Sequence, residues 1–198
     1  PANTLAGIKA ATLLGFKQIK INVVVQRGIN EHTLVDTARY FKGTGAIVRF
    51  IEFMDVGTKN SWVLSQVFTS QEVIETINAE FPLEPVEPNY KGEVASRYRY
   101  VDGSGEIGVI SSVSEPFCGD CTRARLSTDG KLITCLFASG GTDLKTPMRS
   151  GATDAELVEI ITSVWTGRSD RYSELRSKDT EFNTDSDGSK VEMYYIGG

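Results

Sequence analysis

Two β-branched runs separated by one helix-length stretch constrain the fold more than anything else in this sequence. Gln18–Gln26 carries Ile19, Ile21, Val23, Val24 and Val25, and Ala46–Phe53 repeats the texture with Ile47, Val48, Phe50 and Ile51. Between them Asn30 predicts an N-cap, and Leu34, Ala38 and Phe41 form an apolar stripe on a helix that stops near Gly43 and Gly45. An earlier helix over Pro1–Gly15 sets Leu5, Ile8 and Thr12 on one side, and Gly15 can end it. Strands that alternate with helices over short connections run parallel, because each helix is the crossover that returns the chain to the same end of the sheet. The first 55 residues therefore predict an open α/β sheet or part of a (β/α) barrel.

Beyond Met54 the pattern changes. Asp55–Trp62 reads as a polar loop, and Thr69-Ser70-Gln71-Glu72 is a capping box for a helix with Val73, Ile74, Ile77 and Phe81. Pro82, Pro85 and Pro88 predict an extended spacer. Arg97–Val101 and Glu106–Ile110 flank a turn-forming Asp-Gly-Ser-Gly, and Arg123–Thr128 and Lys131–Phe137 flank Asp129-Gly130, so both pairs predict hairpins. A second capping box, Thr153 to Glu156, opens a helix with Leu157, Ile160, Ile161, Val164 and Trp165. Ser177–Lys190 is polar and predicted mobile, whereas Tyr194, Tyr195 and Ile196 offer an anchor just before Gly197-Gly198.

Composition removes several function classes. The 198 residues carry a formal charge of −5, so broad nucleic-acid binding, which needs a basic face, is not expected. No apolar run approaches the ~20 residues that cross a bilayer, and Pro1–Gly15 lacks the basic and apolar regions of a signal peptide. The expectation is a cytoplasmic protein with no membrane partner.

The chemistry concentrates in Cys118-Gly119-Asp120-Cys121 and in Cys135 after thirteen further residues; the chain has no other cysteine. Two thiolates separated by two residues can turn onto one metal centre, with Gly119 easing the bend, and the Asp129-Gly130 hairpin could return Cys135 beside them. Soft thiolates select zinc or an iron–sulfur cluster. A closed zinc site wants four ligands, and the sole histidine, His32, belongs to a distant helix. Three thiolates on a four-iron cluster would leave one iron open to a ligand. A Cys3His zinc site and plain buried thiols are the alternatives. Arg123 and Arg125, two residues apart, would share one face of a strand and suit a phosphate or a purine edge, or else form a solvated strand face. Lys20 and Asn22 share one face of the first strand, Arg49 interrupts the second, and Glu52 has the opposite parity. Polar residues in parallel strands suggest a polar barrel interior, against which stand a snorkelling lysine and a paired arginine. Met54, at a strand's C-terminal end, is a core gap-filler unless it lies at a barrel-end site.

Cys-x2-Cys-x13-Cys with its Thr122-Arg123-Ala124-Arg125-Leu126 continuation resembles the C-terminal cluster motif of the GTP 3′,8-cyclase family of molybdenum cofactor biosynthesis, lyases of the radical S-adenosylmethionine (SAM) class. Lys20-Ile-Asn-Val-Val, Arg27-Gly-Ile-Asn30, Arg49-Phe-Ile-Glu-Phe-Met-Asp55 and the terminal Gly-Gly match the same pattern in the same order. The resemblance implies the C-terminal part of an incomplete (β/α) TIM-type barrel over residues 1–56, a cluster-bearing region of hairpins and a helix over 57–176, and a mobile tail over 177–198. It further implies that Cys118, Cys121 and Cys135 hold a second 4Fe-4S cluster whose open iron meets the guanine of GTP. Arg123, Arg125 and Lys20 would bind GTP, Arg49 would act in catalysis beside the substrate, and Met54 would pack against SAM. Gly197-Gly198 would insert into the active site. In the full enzyme a 5′-deoxyadenosyl radical abstracts a ribose hydrogen from GTP, and the ribose carbon closes onto the purine. The family's N-terminal Cys-x3-Cys-x2-Cys motif for the SAM-cleaving 4Fe-4S cluster is absent from these 198 residues, and the start at Pro1 falls inside a βα pattern. The expectation is a fragment carrying the substrate-binding half and unable to cleave SAM alone. Its partners would be GTP, the missing half of the barrel and the next enzyme of pterin synthesis. Open sheet edges also favour association into a homodimer. A zinc-stabilised binding module and an auxiliary iron–sulfur domain of another radical SAM protein are the competing readings.

Overall fold

The computed structural model describes residues 2–176 and 190–196, a mixed α/β chain. It divides into two compact units, Pro1–Phe53 with Leu64–Pro116 and Met54–Val63 with Phe117–Gly198. The sequence pattern breaks near residue 56, but the chain returns to the first unit at Leu64 and leaves it only after Pro116.

The first unit contains α1 (Ala2–Leu13), β1 (Lys20–Val25), α2 (Leu34–Phe41), β2 (Ile47–Glu52), α3 (Ser70–Asn78), β3 (Leu83–Val86), β4 (Ser96–Tyr100) and β5 (Glu106–Ile110). Its sheet has the order β1-β2-β5-β4-β3; β1/β2 and β2/β5 are parallel, and β5/β4 and β4/β3 antiparallel. The predicted parallel pair is present, joined through α2, and the Asp-Gly-Ser-Gly hairpin adds to the same sheet. Leu83–Val86, expected as a spacer, is an edge strand opposite Arg97–Tyr100. Pro85 hides that strand from a periodicity reading, yet an edge strand tolerates proline because one side of its ladder is unpaired.

Val25, Leu34, Ala38, Val48, Phe50, Val73, Ile77, Ile107 and Val109 form one buried cluster in which α2 and α3 meet the sheet. Alternation along β2 sends Val48, Phe50 and Glu52 to that buried side and Arg49 to the other. The other side carries exposed Lys20 and Asn22 on β1, and Arg49 Nε donates to Asn22 Oδ1 at 2.9 Å across the pair. Gly108 is opposite Arg49 in the next strand. A Cβ at Gly108 would stand 3.3 Å from Arg49 Cγ and 3.2 Å from Ala95 Cβ, so glycine makes room for the arginine stem.

Two local expectations change. Asn30 caps no helix: a 3-10 turn, Glu31–Thr33, precedes α2, and the Asn30 amide is occupied elsewhere. Its Oδ1 accepts from Gln26 N and its Nδ2 donates to Val24 O, both at 2.8 Å, stapling the turn that leaves β1. In α1 the predicted stripe exists but buries nothing, and Leu13, Leu14 and Phe16 stand 67–77% exposed.

Glu52 is the polar centre of this core, 1% exposed. Its Oε1 accepts from Ser70 N at 2.7 Å, in the first turn of α3, and from Ser114 Oγ at 2.5 Å. Its Oε2 accepts from Val113 N and Ser114 N, both at 2.8 Å. The capping box of α3 is formed as expected, with Thr69 Oγ1 accepting from Glu72 N and the Glu72 carboxylate accepting from Thr69 N.

The second unit holds β6 (Arg125–Leu126), β7 (Lys131–Ile133) and β8 (Thr142–Asp143) in one antiparallel sheet, with α4 (Lys145–Arg149), α5 (Asp154–Thr166) and α6 (Tyr172–Arg176). The Asp129-Gly130 hairpin is present but short: Arg123 lies before β6 and Cys135 beyond β7. The predicted Thr153–Glu156 capping box opens α5. Among the described residues no helix is long and apolar enough to cross a membrane.

Replacing Glu52 with alanine would orphan three backbone donors, two of them buried, and should cost about 3–5 kcal/mol. Urea unfolding measures it; a loss under about 1 kcal/mol would contradict this reading of the carboxylate as a hub.

Candidate functional site

The three cysteines all lie in the second unit. Cys118 opens a 3-10 turn, Cys118–Asp120, that brings Cys121 N to within 3.2 Å of Cys118 O. Cys135 follows β7, and all three are free and partly buried. Among the described residues, no group of three His, Cys, Asp or Glu side chains could hold a metal ion. His32, the nitrogen ligand a Cys3His site would need, is in the first unit.

The electrostatics beside these thiols are cationic. Arg123 Nη2 donates to Cys121 Sγ at 3.3 Å, and its guanidinium lies 5.0 Å from the Phe117 ring centre. Its Nε is buried without a hydrogen-bond partner. Burial pushes the Cys121 thiol up, but hydrogen bonding from Arg168 and Arg123 outweighs it and holds the thiol below its ordinary range. Burial raises the Cys135 thiol, with Asp170 and Cys118 adding to the rise. Arg125 is half-buried: burial, then repulsion from Arg123, lower its pKa, and Cys121 and Cys135 partly offset them. Two partly buried guanidiniums repelling one another are a place where an anion is stabilised. Their arrangement does not come from strand parity, as the sequence predicts, because only Arg125 is in a strand.

A three-thiol donor set among arginines fits an iron–sulfur cluster by its chemistry, since soft anionic ligands are what such a cluster takes and the neighbouring guanidiniums favour the Cys121 thiolate.

The segment between α5 and α6 carries residues that no sequence motif singles out. Arg168 Nη1 donates to Cys121 O at 2.6 Å and its Nε to Asp170 Oδ2 at 2.9 Å. The same Asp170 oxygen accepts from Thr134 Oγ1 at 2.7 Å, next to Cys135. Glu174 Oε1 accepts from Gly119 N at 3.0 Å. Tyr172 stacks on Phe137 with ring centres 4.6 Å apart, and its hydroxyl donates to Asp55 Oδ2 at 2.5 Å. Lys190 Nζ completes that group, 2.6 Å from the Tyr172 hydroxyl and 3.1 Å from Asp55 Oδ2. Glu192 then accepts from Thr58 N and Oγ1 at 2.9 and 2.8 Å, and a side chain at Gly57 (φ +67°) would collide with its carboxylate. These contacts tie 190–192, the approach to the expected Tyr-Tyr-Ile anchor, to the rest of the unit.

Met54 begins the second unit; it is half-buried, and its carbonyl accepts from Asn60 Nδ2 at 2.9 Å. Lys20 and Arg49 are on the open sheet face of the first unit. Gly197 and Gly198, and residues 177–189 of the tail expected to be mobile over 177–198, lie outside the described residues.

A family model described as Molybdenum Cofactor Synthesis C matches residues 46–174. The chain is 47% identical over 216 residues to the GTP 3′,8-cyclase of Acidothermus cellulolyticus, covering 99% of this chain and 60% of that protein. It is 49% identical over 197 residues to the GTP 3′,8-cyclase of Xanthomonas axonopodis pv. citri, covering 100% and 57%. With the GTP 3′,8-cyclase of Staphylococcus saprophyticus the identity is 47% over 195 residues, covering 98% and 56%. The chain thus spans somewhat more than half the length of these relatives.

In the metal-free chain the opposite shifts of two thiols set an order of alkylation. Cys121, held low, should react with iodoacetamide at a lower pH than Cys135, held high, because the thiolate is the nucleophile. Peptide mass spectrometry across pH 6–9 (about the range spanning a shifted thiol) reads the order, and Cys135 reacting first would contradict it.

Proposed function

This chain belongs to the Molybdenum Cofactor Synthesis C family, and on that premise we propose that it is the substrate-binding portion of a GTP 3′,8-cyclase. The parent enzyme converts GTP to (8S)-3′,8-cyclo-7,8-dihydroguanosine 5′-triphosphate in molybdopterin biosynthesis. The observation that carries the reading is the Arg123 guanidinium on the Cys121 thiol, with half-buried Arg125 beside Cys121 and Cys135 in the same unit.

Cys118, Cys121 and Cys135 are the proposed ligands of a 4Fe-4S cluster. When bound, it would supply an iron with an open position, a Lewis-acidic site for a guanine nitrogen or oxygen. Arg123 and Arg125 hold the nucleotide. Their planar forks match phosphate oxygens or the purine edge in pairs, and an anion beside them offsets the repulsion from Arg123 that, after burial, lowers the Arg125 pKa. Lys20 offers a point charge to GTP on the polar sheet face. Arg49 has its Nε engaged by Asn22, which fixes the direction of the guanidinium and leaves its terminal nitrogens for a substrate oxygen. Met54 offers an apolar, polarisable surface for SAM, and Gly197-Gly198 offers a terminus slim enough to enter a narrow site. The polar sheet face opposite the helices suits the interior of a barrel of which β1 and β2 are part.

The radical-generating step requires a cluster motif that these 198 residues do not contain, since their three cysteines are all used in the C-terminal site. SAM cleavage and the missing part of the barrel are therefore assigned to sequence outside this chain, and the chain alone should release no 5′-deoxyadenosine from SAM.

Anaerobic reconstitution with quantified metal tests the reading. About four iron and four sulfide per chain, with a spectrum that moves on adding GTP, are expected. Arg123→Ala and Arg125→Ala should each weaken GTP binding by about 10–100-fold, the loss of a charge-assisted hydrogen bond. About one zinc per chain and no response to GTP would instead mean a structural knuckle. A full cluster indifferent to GTP would mean an auxiliary cluster domain.

A further inference from the structure

We propose that Arg168 and Asp170 are positioning residues that set the separation between the two ends of the cysteine motif. The inference rests on the cluster reading of Cys118, Cys121 and Cys135.

Cys121 and Cys135 are joined by thirteen residues that include the short β6/β7 hairpin, and neither cysteine lies within a strand. The ladder reaches only Arg125 and Ile133, short of both cysteines. The fixing comes from outside the motif: Arg168 grips the backbone at Cys121, Asp170 grips Thr134 beside Cys135, and the two side chains are joined to each other. The path runs Cys121 carbonyl, guanidinium, carboxylate, Thr134 hydroxyl, in three hydrogen bonds of 2.6, 2.9 and 2.7 Å. One Asp170 oxygen accepts both arms, so movement at either end is transmitted to the other.

The bridge is sheltered. The Arg168 side chain is 12% exposed and Asp170 30%, and the Trp165 ring lies 5.1 Å from the guanidinium. A sheltered arginine fork holding a carbonyl with one nitrogen and a carboxylate with another is a directional device, which a lysine ammonium cannot reproduce. Glu174 adds a third hold at Gly119 N, inside the Cys-x2-Cys turn. Groups that orient metal ligands from outside the coordination sphere contribute to affinity without touching the metal.

The test uses the reconstituted 198-residue chain and Arg168→Gln, Arg168→Lys, Thr134→Val and the Arg168→Gln/Thr134→Val double variant. The readouts are iron release to a ferrous chelator and urea unfolding of each metal-free chain. The Arg168→Gln variant should release iron about 10–100-fold faster than the parent, the range typical of lost outer contacts. Thr134→Val, which deletes one hydroxyl and threatens the fold least, should move release in the same direction. The double variant should be no worse than Arg168→Gln, because both arms act through Asp170. Arg168→Lys should fail to restore the parent rate. Release rates within about twofold of the parent, or acceleration accounted for by lost stability of the metal-free chain, would overturn the proposal. So would full rescue by lysine, which would leave only a charge effect. A parent chain that takes up no four-iron cluster would refute the cluster reading and this inference with it; a stable parent cluster with equally stable variants would refute the bridge alone.

Discussion

A single buried carboxylate organises the first unit. Glu52 ends β2 on the side that faces the core, where an ionised group is tolerated only if its lone pairs are filled. The fold fills them with backbone donors from two distant places, the first turn of α3 and the chain just after β5. One side chain thereby fixes where α3 begins and where the polypeptide leaves the sheet. The same alternation that buries Glu52 turns Arg49 to the open face, where Asn22 orients it and Gly108 makes way for it. Core and polar face are two consequences of one strand parity.

The second unit is organised differently. Its sheet has strands of only two or three residues, too little ladder to hold a binding site rigid. Side-chain bridges from the α5–α6 connection and from α6 itself take over. Arg168, Asp170 and Glu174 reach the cysteine segments, while Tyr172 stacks beneath Phe137 and joins Asp55 and Lys190. Arginine chemistry is used in two ways here: Arg123 and Arg125 are the proposed anion site, and Arg168 spends its fork on the protein itself.

Local signals were legible in the sequence. Both capping boxes, the parallel pair and the Asp-Gly-Ser-Gly hairpin follow from residues close together in the chain. Signals that depend on distant partners were not. Asn30 has the chemistry of an N-cap, but its amide is taken by Val24 and Gln26. Pro85 disguises an edge strand, and Glu52 shows its parity without its four donors. The cysteine motif and its arginines are readable from spacing and resemblance. Arg168, Asp170 and Glu174 are not, because they lie more than 30 residues beyond Cys135 and only folding brings them back.

By the function proposed above, the three-cysteine site presents an iron to the guanine of GTP. The most direct measurement is magnetic resonance of the reduced, reconstituted chain with GTP whose guanine nitrogens are nitrogen-15. A nitrogen coupling to the cluster should appear with GTP and weaken in Arg123→Ala and Arg125→Ala. An identical spectrum with and without nucleotide, on a chain loaded with four iron and four sulfide, would contradict it.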